Sequence, residues 1–168
     1  PYVNAMELKK NLVETEFNFY KNNYSTAKGS VDLYIYFFEL GYSILKDNYL
    51  LNYITPNRFL SASYGLALRE FLLNKTSLLI VGDYSNVKVF KEASTYPITT
   101  LFRKTPNNHN LLSFTFIEEH QPIVYRSYRT EALFSLNDYI LGFILSEKYE
   151  IVSKIISQSE PLGRCGII

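Results

Sequence analysis

Few side chains in this sequence are spaced for covalent chemistry. His109 and His120 stand eleven residues apart in polar stretches, with no Ser, Cys or Asp constellation beside them, so they read as surface histidines. Cys165 is the single cysteine and lies in a Gly-flanked tail. One thiol can form neither an intramolecular disulfide nor a cysteine-ligated metal site, and no metal is expected. Walker A, G-x-G-x-x-G and G-x-S-x-G sequences are all missing, which removes the common phosphate cradles and the hydrolase elbow. Aromatic residues are the compositional outlier. The chain carries 15 Tyr and 12 Phe and no Trp. Tyr2 follows Pro1 at the start, and Phe90 sits in a loop between Lys88 and Lys91. Pro56 and Asn57 close an apolar run, at the strand end where α/β sheets place their ligands. Asn57 either shapes a pocket or caps the helix that follows. Lys88 and Lys91 either reach phosphates or are solvated.

A chain of 168 residues fits one domain. Its 47% hydrophobic and 20% charged residues are those of a globular protein. A net charge of +1 excludes a polycation that holds nucleic acid through bulk charge. Residues 51–104 nevertheless hold seven Lys/Arg against three Asp/Glu: Arg58, Arg69, Lys75, Lys88, Lys91, Arg103 and Lys104. That surplus is either a solvated surface or a patch facing phosphates. No run of about 18 apolar residues predicts a membrane span, and no basic segment followed by an apolar one predicts a signal peptide. A single cysteine suits a reducing, cytoplasmic setting. The chain opens on Pro1 without an initiator Met and stops in mid-pattern at Ile168, so it is expected to be a piece of something longer.

The elements that position these residues follow from periodicity. Residues 3–30 are polar and read mainly as a long excursion, with room for a short helix around Met6, Val13 and Phe17. A helix is expected from Val31 to Lys46, with Ser30 as N-cap, Asp32 in the first turn and Leu33, Phe37, Leu40 (or Gly41) and Ile44 facing a sheet. Tyr49–Ile54 is apolar on both faces, which predicts a buried, parallel strand. A helix over 58–74 follows, with Leu60, Tyr64, Ala67 or Leu68, Phe71 and Leu72 inward, then strands over 77–84 and 96–103. This order predicts an α/β sheet, mostly parallel, whose last strand is antiparallel to its neighbour. A strand pair over 111–118 and 123–129, an ambiguous stretch over 131–145 and an amphipathic helix over 146–157 complete the chain.

Taken in order, Pro1-Tyr2, the Asp32-Leu33-Tyr34 helix start, Ile54-Thr55-Pro56-Asn57-Arg58-Phe59-Leu60, Leu68-Arg69-Glu70-Phe71-Leu72 and the strand leading into Val89-Phe90 resemble the second half of an N6-adenine DNA methyltransferase of the Eco57I/TaqI-like class. That class occurs in type IIG and related restriction-modification enzymes. Its signature is Asn-Pro-Pro-Tyr, of which Pro1 and Tyr2 would be the last two residues. The resemblance implies the C-terminal half of a Rossmann-like S-adenosylmethionine-dependent methyltransferase sheet over residues 1–104. A small α+β connector over 105–168 would lead to a target recognition domain. It implies methyl transfer from S-adenosylmethionine to the N6 of an adenine flipped out of double-stranded DNA, with a nuclease domain or subunit possible in the parent. The amino nitrogen's lone pair is delocalised into the ring. The signature's Asn and a carbonyl would accept its hydrogens and return electron density to nitrogen. Tyr2 would stack on one face of the base and Phe90 on the other. Pro1 would belong to the catalytic signature, and Pro56, Asn57, Lys88 and Lys91 would shape the pocket or touch DNA. The cofactor-binding half is missing, so the chain is expected to be inactive by itself. Asn-Pro-Pro-Tyr is shared with enzymes that methylate a release-factor glutamine and with some RNA methylases, and a non-catalytic protein-binding module is a third reading. The length of chain after residue 104 favours DNA.

Overall fold

The computed structural model describes residues 2–26, 28–90, 96–106, 111–118, 121–134, 136–143 and 149–160. His109, His120, Cys165 and the stretch entering the expected recognition domain at Leu162–Ile168 lie outside the described residues.

The polar N-terminal stretch is not an irregular excursion but two short helices, α1 (Ala5–Asn11) and α2 (Glu14–Asn23). Asn4 caps α1 by accepting the amide of Glu7 at 2.9 Å. Only Leu8 is buried in α1 and nothing is buried in α2, so neither helix shows the apolar stripe that reveals a helix in a sequence. Helix α3 (Leu33–Ile44) follows, with Asp32 rather than Ser30 at the N-cap position. Its buried face is Tyr34, Ile35, Phe38 and Gly41, while Phe37, Leu40 and Ile44, expected inward, are exposed. The helix is apolar nearly all round, so two stripes satisfy the period and packing alone chooses between them.

Five strands form one sheet: β1 (Leu50–Pro56), β2 (Ser77–Asp83), β3 (Pro97–Arg103), β4 (Leu111–Glu118) and β5 (Gln121–Arg129), in the order β1-β3-β2-β4-β5. The expected antiparallel last strand is β3, which enters between β1 and β2 and runs against both. The sheet as a whole is mostly antiparallel, not mostly parallel, because only β2 and β4 pair in parallel. Within this chain β1, expected as a buried, parallel strand, pairs antiparallel with β3 and has no partner on its other side among the described residues, and Leu50 and Ile54 are exposed.

Between β1 and β2 the chain makes two 3₁₀ turns, Asn57–Leu60 and Ser63–Gly65, before helix α4 (Leu66–Lys75), where one helix from residue 58 was expected. Phe59, Leu60, Leu68, Leu72 and Leu73 are buried all the same. Phe38 of α3 is the hub of the core, with ring centroids 5.4 Å from Tyr53, 5.5 Å from Phe59 and 6.4 Å from Phe102. Beyond β5 come α5 (Thr130–Phe134), 3₁₀ turns at Asn137–Tyr139 and Leu141–Phe143, and α6 (Tyr149–Gln158). No helix among the described residues is long and apolar enough to cross a membrane.

Glu39 of α3 fastens the end of the N-terminal helical pair. Its carboxylate accepts the amides and hydroxyls of Ser25 and Thr26, at 2.9–3.0 Å. Burial by itself raises the pKa of this group, but the four donors outweigh it and hold the carboxyl below its ordinary 4.5. A lowered pKa adds stability that is present above the unfolded value and lost as pH falls through the folded one. Glu39→Gln is therefore expected to cost about 1–2 kcal/mol at pH 7, measured as a urea midpoint. The gap between the two proteins should close as the pH falls below 4.5.

Candidate functional site

The C-terminal end of β1 opens on a cavity of about 380 Å³. Pro56 and Pro97 face each other in the last register pair of β1 and β3. Neither has an amide proton, so the regular ladder ends there. The Asn57 amide donates instead to the Tyr96 carbonyl at 2.9 Å. Asn57, Arg58 and Tyr96 thus stand at one side of the cavity.

The chain start supplies the opposite side. Tyr2 is 46% exposed, and its hydroxyl donates to the Ile54 carbonyl on β1 at 2.7 Å. The Leu33 amide donates to the Val3 carbonyl at 3.0 Å, which ties this segment to α3. Asp32 adds a second tie, because its Oδ1 accepts the Ala5 amide at 2.9 Å. Its Oδ2 accepts the Tyr64 hydroxyl at 3.1 Å, and the Tyr64 oxygen lies 3.0 Å from the Tyr34 hydroxyl. With Tyr64 donating to the carboxylate, Tyr34 donates to Tyr64, forming a chain of hydrogen bonds that ends on Asp32. Burial, and then the bond to Tyr64, pushes the Tyr34 pKa far above the ordinary phenol range, so it stays a neutral donor. Burial likewise raises the Tyr64 and Tyr2 phenols.

The fold brings together most of the residues singled out in the sequence. Tyr2, Pro56 and Asn57 line one cavity, and the Phe90 ring lies 6.1 Å from the Tyr2 ring with the planes inclined by 60°. Lys88 is exposed two residues before Phe90. Pro1 and Lys91 lie outside the described residues. Asn57 does not occupy a cap position: it is the first residue of a 3₁₀ turn, and Pro56 stands at the N-cap. The basic surplus of the middle third is not one surface patch. Arg69 is 1% exposed, and Lys104 is held by Asp47 at 3.5 Å and by the Leu45 carbonyl at 2.7 Å. Asp32, Tyr34, Tyr64 and Tyr96 were not anticipated at the site. The signal for the first two was an Asp and a Tyr two apart at a helix start. For Tyr96 it was an aromatic directly before a strand-opening proline. Among the described residues no group of His, Cys, Asp or Glu is placed to hold a metal.

Residues 1–90 match the Eco57I restriction-modification methylase family. The chain is 31% identical over 172 residues to the type II restriction enzyme and methyltransferase RM.Eco57I of Escherichia coli, an alignment covering 97% of this chain and 16% of that protein. Its fold is similar to part of the type IIG restriction endonuclease BpuSI, with a TM-score of 0.58 at 16% identity over 85% of this chain and 19% of that one. The chain thus spans less than a fifth of either relative.

The hydrogen-bond chain at the cavity is directly testable. Tyr64→Phe keeps the ring but leaves Tyr34 without an acceptor and the Oδ2 of Asp32 without its donor, while Oδ1 keeps the Ala5 amide. A loss of about 1–3 kcal/mol is expected in denaturant unfolding. Tyr2→Phe, which removes a bond made at a half-exposed position, should cost about 1 kcal/mol or less.

Proposed function

We propose a function from one premise: the chain belongs to the Eco57I restriction-modification methylase family. On this reading it is the acceptor-base side of a DNA methyltransferase that methylates adenine at N6 inside a longer polypeptide, which carries a nuclease region as its named relative does. One observation carries the proposal. Tyr2 and Pro56–Asn57, from distant parts of the chain, line one cavity at the C-terminal end of β1, and Phe90, from the loop after β2, lies against the Tyr2 ring at its side.

The base leaves the duplex and enters beside Tyr2, and stacking offsets part of the unstacking cost of a few kcal/mol. Stacked rings lie about 3.4 Å apart, so a base between two aromatic faces needs about 7 Å and nearly parallel planes. The Tyr2–Phe90 pair, at 6.1 Å and 60°, is too close and too inclined for that. Tyr2 is anchored through its hydroxyl to Ile54, so Phe90, carried on the loop after β2, is the ring that swings aside. Asn57 offers a carboxamide to the base edge, and Lys88, with Lys91, meets phosphate. Pro1 belongs to the signature that polarises the amino group.

S-adenosylmethionine is the methyl donor that the family implies. The residues described here do not form its cradle. Both carboxylate oxygens of Asp32, the acidic residue at the cavity, are already engaged by Ala5 and Tyr64, and no Gly-rich turn joins a strand to a helix. The donor's site therefore belongs to another part of the polypeptide. Family membership supports DNA over the glutamine-amide and RNA alternatives, and nothing in the cavity favours a purely structural module.

In the full gene product, Phe90→Ala should lower the methylation rate on DNA at limiting substrate by roughly 5–150-fold, the kinetic equivalent of one lost base–ring stack. Unchanged turnover removes Phe90 from the site, and modification mapped to cytosine rather than adenine overturns the substrate assignment. Calorimetric titration of the 168-residue chain with S-adenosylmethionine should give no tight isotherm. A tight one would place the donor's cradle here.

A further inference from the structure

Arg69 is the largest of the fully buried side chains, at 1% exposure. A guanidinium costs much to bury unless all its donors are used. Among the described residues its hydrogen bonds go to backbone carbonyls on two separate segments. Nη1 donates to Phe59 at 2.6 Å and to Ala62 at 2.8 Å, and Nε donates to Asp138 at 3.0 Å. The first two carbonyls belong to the turns that lead out of Asn57 and Arg58, which line the cavity. The third lies in the turn Asn137–Tyr139, beyond the sheet.

Two further features lock these segments together. Asp138 and Tyr139 sit consecutively in left-handed backbone, at φ of 52° and 49°. Residues with side chains adopt that region only under strain, which the contacts holding the turn must offset. The two segments also meet through one glycine: a Cβ on Gly142 would strike the Ser61 hydroxyl. Gly65 serves the clamp within the first segment, because a Cβ there would strike the Phe59 carbonyl and lie 2.8 Å from Nη1. The turn before α4 and the segment after α5 are thus packed directly on one another at Ser61 and Gly142.

We propose that Arg69 is a positioning residue which couples the Asn137–Phe143 segment to the Asn57–Arg58 wall of the cavity, so that a displacement beyond the sheet reaches the wall through its guanidinium. Only Arg suits this place. Its planar fork serves carbonyls in different directions at once, whereas a lysine ammonium on a flexible stem reaches one side. The coupling is a property of this chain and stands whatever occupies the cavity.

Amide hydrogen exchange on the full 168-residue chain tests it, read in peptides covering 57–62, 136–143 and the Phe38 core. Arg69→Lys keeps the charge and should speed exchange roughly tenfold or more in both 57–62 and 136–143, the equivalent of one charge-assisted bond. Asp138→Val puts a β-branched side chain where φ is 52°, which strains the Asn137–Tyr139 turn without adding a contact to 57–62. It should speed exchange in 57–62 as well as in 136–143 while the Phe38 peptide stays protected. Added to Arg69→Lys, it should change 57–62 little further, because the link through the guanidinium is already broken. The proposal is overturned if Asp138→Val affects only 136–143, if the two substitutions add in full, or if every peptide including the Phe38 core speeds up together.

Discussion

β3 pairs along both of its edges, and both pairings are antiparallel. This insertion fixes where the cavity can be. A strand that runs against two neighbours places their C-terminal ends at its own N-terminal end. Pro56 of β1 lies opposite Pro97, and Asp83 of β2 lies opposite Ile98. The loop after β1, which carries Asn57, and the loop after β2, which carries Phe90, therefore leave the sheet at one end. If β3 instead joined the outer edge of β1, those two ends would no longer flank it. The strand is secured by burial as well as by its ladders, with Ile98, Thr100 and Phe102 fully covered and Phe102 under the Phe38 hub of α3. The hydrophobic core and the geometry of the site thus rest on the same strand.

Around the cavity the structure divides fixed parts from adjustable ones. Asp32, Tyr64 and Tyr34 form a hydrogen-bonded chain that reaches from the N-terminal segment to the turn before α4. In a partly buried setting such a chain is worth more than exposed bonds, because each group would otherwise be desolvated without a partner. It holds Val3 and Asn4 against α3, and with them the base of Tyr2. Tyr2 is further fixed by its bond to Ile54. The loop carrying Phe90 is tied by Tyr84 to Pro97, by the amide and hydroxyl of Ser85 to the Asp83 carboxylate and by backbone bonds from Val87 and Val89, none of which engages the Phe90 ring. On the proposed reading, the adjustment that admits a base is therefore made by that ring and not by the sheet.

Much of the architecture was legible because three strands are short apolar runs bounded by Pro, Asn or Asp, and such runs declare themselves. Their partners did not. Which strand lies between which depends on contacts made far along the chain, so the insertion of β3 antiparallel beside β1 was not legible in the run that forms β1. Helix α3 was legible as a helix but not in its rotation, since Phe37, Leu40 and Ile44 satisfy the period as well as Tyr34, Phe38 and Gly41 do. Arg69 looked like one of seven basic surface residues. Nothing in one sequence separates a solvated guanidinium from one whose donors are spent on carbonyls 7, 10 and 69 residues away. At the site, Tyr2, Pro56, Asn57 and Phe90 were legible only through an ordered resemblance, because each alone is an ordinary residue type. Asp32 was visible as a helix start, but its second use, joining the chain start to Tyr64, exists only in three dimensions.

The charge distribution, once corrected for Arg69 and Lys104, bears on how such a chain engages nucleic acid on the proposed reading. Of the seven cations in the middle third, Arg58, Lys75, Lys88 and Arg103 are the ones described as exposed, in a chain of net charge +1. Each phosphate a protein neutralises adds about 0.9 to the slope of log affinity on log salt, and non-specific affinity is built almost wholly from such contacts. Four scattered cations give little of either. Stacking on Tyr2 and Phe90, by contrast, supplies about 1–3 kcal/mol per ring without releasing counterions, and it acts only after the base has left the duplex. On the proposed reading the cavity therefore holds an extruded base by stacking, while finding and gripping the duplex is the work of charge placed elsewhere than the middle third. A junction such as the Arg69 clamp, between the cavity wall and the segment leading away from the sheet, stands where those two tasks would have to communicate.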